Sequence, residues 1–119
     1  MRRIEKPWGY EIVWAEADAY VGKILHVKAG TRLSLQYHRT KEETIYLQTG
    51  RALVTLGEPD GPLDVQEYGP GSVFHIHPGR RHRLEAVTDC DFLEVSTPHL
   101  DDVVRLSDDY GRAGESDGD

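Results

Sequence analysis

Polarity alternates residue by residue through much of this chain, and a period of two leaves little room for helices. Val21, Lys23, Leu25 and Val27 share one face of an extended segment, and Ala52, Val54 and Leu56 share one face of another, because successive strand side chains point to opposite sides. Turn compositions interrupt the pattern at short intervals: Lys-Ala-Gly at 28–30, Gln-Thr-Gly at 48–50, Glu-Pro-Asp-Gly at 58–61, Gly-Pro-Gly at 69–71 and Pro-Gly at 78–79. The spacing predicts strands over 10–14, 21–28, 33–38, 44–48, 52–56, 63–67, 73–77, 82–87 and 92–96. Short strands at such intervals build an antiparallel sandwich or barrel. Only 101–106, begun by Asp101 and Asp102, reads as a short turn of helix.

A length of 119 residues fits one domain, and the all-β reading assigns 1–112 to a barrel with its tail segment. The net charge of −7 is uneven: from Asp101 onward seven acids face two bases. The body is therefore close to neutral, without the basic stripe that nucleic acid requires. Residues 113–119 read as a disordered, solubilising acidic end. No apolar run is long enough to span a bilayer, and no apolar segment with a cleavage site follows Arg2 and Arg3. The lone Cys90 excludes an internal disulfide and agrees with a reducing compartment. A cytoplasmic protein without nucleic-acid or membrane partners is expected.

Potential metal ligands gather in one short segment. Gln36 and His38 are two apart on a strand and converge on one side. A turn over 39–42 lets Glu43 begin the returning strand and face the same space, and His82 follows the Pro78-Gly79 turn in a comparable place. Imidazole, carboxylate and amide oxygen together suit one first-row divalent ion. Taken singly, each of these side chains is more often a solvated strand group.

The spacing around them is specific. Gly30, Gln36, His38, Glu43 and Gly50 follow the first motif of the cupin superfamily, with glutamine where many members have histidine; Gly71, His77, Pro78, Gly79 and His82 follow the second, with His77 where proline is usual. The chain thus resembles the cupins, which implies a double-stranded β-helix, or jelly-roll barrel. Further segments narrow the resemblance: Lys6-Pro-Trp-Gly9, the run from Gly30 to Gln36, His82-Arg-Leu-Glu85 and the tail over 101–112. Together with the Gln-x-His-x4-Glu ligands, they are similar to the C-terminal isomerase domain of bifunctional mannose-6-phosphate isomerase/mannose-1-phosphate guanylyltransferases. The nucleotidyltransferase part of those proteins has no counterpart here.

That resemblance implies a metal-dependent isomerase converting mannose 6-phosphate to fructose 6-phosphate, with zinc at Gln36, His38, Glu43 and His82, or alternatively manganese, iron, nickel or cobalt. Because Glu43 is spent as a ligand, Lys23 and Glu85 are the candidates for moving the proton between C2 and C1. Arg32 and Arg112 are the candidates for holding the phosphate. Lys23 either points into the barrel or snorkels to water. His75 and His77 read as exposed strand histidines rather than a second metal pair. Trp8 and Trp14 are expected in the core or in a dimer contact, and Cys90 as a small buried hydrophobe. Two rivals remain, a non-catalytic metal- or sugar-binding cupin and an iron-dependent oxygenase, since fold alone does not choose. An apolar strand over 10–14 would leave an edge to protect, which predicts a symmetric homodimer.

Overall fold

The computed structural model describes residues 1–117 and is built from strands throughout. In chain order they are β1 (Arg2–Lys6), β2 (Gly9–Glu16), β3 (Val21–Val27), β4 (Leu35–Tyr37), β5 (Glu43–Thr49), β6 (Ala52–Gly57), β7 (Asp64–Tyr68), β8 (Val73–Ile76), β9 (Arg81–Ala86), β10 (Cys90–Ser96), β11 (Asp102–Ser107) and β12 (Gly114–Asp117). They form two six-stranded sheets, ordered β1-β2-β3-β10-β5-β8 and β12-β11-β4-β9-β6-β7, with antiparallel pairing throughout. Two antiparallel sheets face to face, closing on one core, are the jelly-roll architecture expected from the sequence.

The nine expected strands all form, with ends shifted by one or two residues in most, and three more join them. Residues 101–106 are not a helical turn. Val103 and Arg105 are buried while their neighbours are not, and that alternation lays the segment along β4 as β11. An open sheet edge outweighed the local helix-start signal of two acids. Toward the acidic end, Gly114–Asp117 pairs with β11 as β12, while Gly118 and Asp119 lie outside the described residues. The strand over 10–14 is no edge either, because β1 pairs along it.

The interior changes character along its length. On β10 the inward residues run Cys90, Phe92, Glu94, Ser96, and on β5 they run Leu47, Ile45, Glu43. Each step is two residues, or ~7 Å, so one end of the barrel is apolar and the other is lined with charge. The apolar end packs Trp8, Leu25, Leu47, Phe74, Leu84 and Phe92. Cys90 lies there too, and burial pushes its thiol up to about 11, as expected of an inert core cysteine. Gly50 closes the hairpin between β5 and β6 at φ 91°, where a Cβ would meet the Asp89 carbonyl oxygen at 2.2 Å; only glycine fits that turn.

Candidate metal centre

At the polar end, β4 turns Gln36 inward and the next inward position is His38. The chain then reverses, and Glu43, the first residue of β5, faces the same space. His82 sits opposite Gln36 in the β4–β9 register. These are the four residues expected as ligands, and none is more than 3 % exposed. The ligand atoms of His38, Glu43 and His82 all lie within 4.8 Å of one another.

The hydrogen bonds fix which imidazole nitrogens face the centre. Nδ1 of His38 donates to the Asp102 carbonyl at 2.5 Å, and Nδ1 of His82 donates to the Arg80 carbonyl at 3.0 Å. In the neutral ring each Nε2 then carries a lone pair. Both Nε2 atoms aim at the same carboxylate oxygen, Oε1 of Glu43, from 3.0 Å and 3.2 Å. Bare lone pairs facing one another in a dry interior repel, so either a proton on each Nε2, donated to Glu43, or a divalent cation must stand between these atoms. The amide oxygen of Gln36 is also buried there without a hydrogen-bond donor. Two nitrogens, a carboxylate and an unsatisfied amide oxygen are a donor set that fits a divalent ion, and the outer hydrogen bonds orient the imidazoles as metal sites require.

Charge around Glu43 is arranged in pairs. Burial opposes its ionisation, but the Lys41 ammonium and the hydrogen bonds from His38 and His82 outweigh this and hold its carboxyl well below the usual carboxylate range. Lys41 Nζ lies 3.5 Å from Glu43 Oε2 and 3.2 Å from Glu94 Oε2. Glu94 stands opposite Lys23 in the β3–β10 register, and Lys23 Nζ is 3.2 Å from Glu11 Oε2. Alternating signs let all of these groups remain buried.

The structure brings some expected residues together and separates others. Lys23 points into the barrel, tied to Glu11, so it does not snorkel to water. Strand parity turns Glu85 outward on β9, away from the centre, and Arg32, which precedes β4, is held by Asp109 on the outer surface. Arg112 lies in the turn between β11 and β12, where its guanidinium is bound by Asp108. The inward arginine of the tail is Arg105, 4 % exposed and opposite Gln36. His75 and His77 are on the outer face, bonded to Glu42 and Glu58. Sequence reasoning missed Glu11, Lys41, Glu94, Asp102 and Arg105. Parity with Phe92 would have turned Glu94 inward, and parity with Val103 would have done the same for Arg105 once 102–107 was taken as a strand. Lys41 and Asp102 carried no periodic signal.

The Cupin domain family matches residues 23–96 of the chain. Among curated proteins, mannose-1-phosphate guanylyltransferase of Escherichia coli (strain K12) is 38% identical over 117 residues, covering 93% of this chain and 23% of that protein. Xanthan biosynthesis protein XanB of Xanthomonas campestris pv. campestris is 31% identical over 116 residues, covering 93% and 24%. The chain therefore spans about a quarter of the length of the curated relatives it matches. Among solved structures, oxalate decarboxylase of Lactobacillus farciminis superposes with a TM-score of 0.75 at 20% identity, over 88% of this chain and 33% of that one. That likeness is one of fold.

The depressed carboxyl of Glu43 has a consequence for acid stability. A folded-state value below that of the unfolded chain contributes stability above pH ~4.3 and loses it as pH falls through the folded value. Urea unfolding of chelator-treated protein is therefore expected to show a steep fall in stability below about pH 4, and a shallower one in Glu43→Gln. Equal slopes would mean that Glu43 is not held ionised in the fold.

Proposed function

The chain belongs to the cupin family, and on that footing we propose that it is a metal-dependent sugar-phosphate isomerase, interconverting mannose 6-phosphate and fructose 6-phosphate. The observation that carries the reading is the convergence of His38 and His82 on Glu43 beside Gln36, with Arg105 buried opposite. The mannose-1-phosphate guanylyltransferase likeness supports a phosphorylated mannose as the substrate class. Gln36, His38, Glu43 and His82 would hold one divalent ion, zinc first among manganese, iron, nickel and cobalt, which as a Lewis acid would favour negative charge on the sugar oxygens.

The remaining steps fall to the surrounding side chains. Glu94 is a buried carboxylate not spent as a ligand, and it replaces Glu85 as the group that takes the proton from C2 and returns it to C1. Lys41, between Glu43 and Glu94, donates to the sugar oxygens; Lys23 supports Glu94 from the facing strand. Arg105 replaces Arg112 and Arg32 as the anchor for the anionic end. One rival has an observation in its favour. Near-complete burial of the four ligand side chains also suits an ion that closes the barrel in a sugar-binding module without turnover.

The second copy of a homodimer would sit on the outer face of the first sheet. Ile12, Ile24, Leu93, Tyr46 and Val73 are successive cross-strand partners, an apolar row across five strands. The neighbouring row holds Gly22, Val95, Thr44 and His75, with Trp14 53 % exposed and its indole over Gly22. Neither row carries an acid, and a two-fold axis pairs the face with itself.

Two outcomes are expected. Metal-loaded protein interconverts the two sugar phosphates and loses this on chelation, and Arg105→Ala lowers kcat/KM by about tenfold or more whereas Glu85→Gln and Arg112→Ala do not. Sugar-phosphate binding without turnover in metal-loaded protein would select the binding module instead. By light scattering, the mass is expected at twice the 13.4 kDa chain, falling to one chain in the double variant Tyr46→Glu, Val73→Glu; a monomeric parent contradicts the dimer.

A further inference from the structure

We propose that Asp102 is a positioning residue of the metal centre, holding the loop between His38 and Glu43 in its ligating shape from the strand at the end of the barrel. The proposal rests on the reading of Gln36, His38, Glu43 and His82 as a metal site and extends that site to a residue outside the ligand set.

The geometry is specific to this task. Three successive backbone N–H groups, of Arg39, Thr40 and Lys41, donate to the Asp102 carboxylate at 3.0, 2.6 and 2.8 Å. These three residues lie within the turn that separates the ligands His38 and Glu43. The same residue's backbone carbonyl takes the Nδ1–H of His38 at 2.5 Å. Asp102 therefore fixes both the path of the loop and the ring orientation of one ligand, so that Nε2 faces Glu43. From the other side, the Glu42 N–H donates to Thr97 Oγ1 at 3.1 Å and the Thr97 N–H to the Glu42 carbonyl at 3.0 Å. The His38 carbonyl accepts the Gly79 N–H at 2.7 Å, which ties the loop to the turn preceding His82.

A carboxylate is the acceptor this arrangement calls for. Two oxygens with several lone pairs can take three converging N–H groups, and charge strengthens each bond. An asparagine of the same shape offers one oxygen and turns a donor toward donors. The loop would then be free to leave the ligating arrangement, and the ion would bind at the cost of restoring it. The role also explains why a strand beyond the barrel hairpins runs beside β4: Asp102 at its start and Arg105 opposite Gln36 both serve the polar end.

The test compares zinc affinity, by competition with a chromogenic chelator, for the parent, Asp102→Asn and Asp101→Asn. Asp101→Asn removes the same charge one residue away and controls for net electrostatics. Asp102→Asn is expected to bind zinc about tenfold or more weakly, with Asp101→Asn within about twofold of the parent. In the metal-free proteins, amide exchange at Arg39, Thr40 and Lys41 is expected to speed up in Asp102→Asn alone, while the melting temperature and far-ultraviolet spectrum report that the sheets remain. Zinc affinity of Asp102→Asn within about twofold of a zinc-binding parent would overturn the role of Asp102 and leave the metal centre standing. A parent that takes up no divalent ion would overturn the centre itself, and the role with it.

Discussion

A carboxylate buried inside a β-barrel must be matched by positive charge, and the polar end of this molecule is organised around meeting that requirement for Glu43. Its Oε1 faces two imidazole nitrogens whose other nitrogens are committed to backbone carbonyls, and its Oε2 faces Lys41. Taking such a group out of water is costly unless partners replace the lost hydration. A divalent ion among Glu43, His38, His82 and Gln36 would supply that replacement for four side chains at once. The apolar end needs no such compensation and provides the burial that holds the sheets together.

The tail segment shows how a single strand can join fold and site. Without β11, the strand β4 would be a three-residue edge, too short to hold Gln36 and the adjoining His38 in register by its own ladder. With β11 beside it, the ladder extends to Val104 and Arg105, and the first residue of the new strand reaches back to the ligand loop. Packing, loop geometry and the placement of a buried arginine thus depend on the same few residues.

Much of this was legible in the sequence because the strand period is simple and the candidate ligands obey it. Gln36 and His38 share a face by parity, Glu43 follows a turn of fixed length, and the glycines at 30, 50 and 71 punctuate the hairpins. Those features gave an antiparallel sandwich or barrel and the candidate ligand set, and the resemblance to the cupins narrowed the fold to a jelly roll. What escaped was set by tertiary contact. Asp101 and Asp102 looked like the start of a helix because local signals favour acids there, yet an open edge beside β4 made a strand the better use of Val103 and Arg105. Glu85 and Arg112 were attractive as chemistry but sit on the wrong parity or in a turn, whereas Glu94 was hidden between Leu93 and Val95 in a run that reads as ordinary strand. Lys41 lies in a loop, where no periodicity assigns a direction.

A divalent ion at the meeting point of these side chains would join the fold to the proposed chemistry. Anomalous diffraction from crystals of protein purified without chelators, collected at the absorption edge of the metal found in the sample, tests it most directly. One peak per chain is expected, with Nε2 of His38, Nε2 of His82, the Glu43 carboxylate and the Gln36 amide oxygen around it at roughly 2.0–2.2 Å. A metal-saturated crystal whose only anomalous peaks lie elsewhere, with Glu43 bound to the two imidazoles through protons alone, would contradict it.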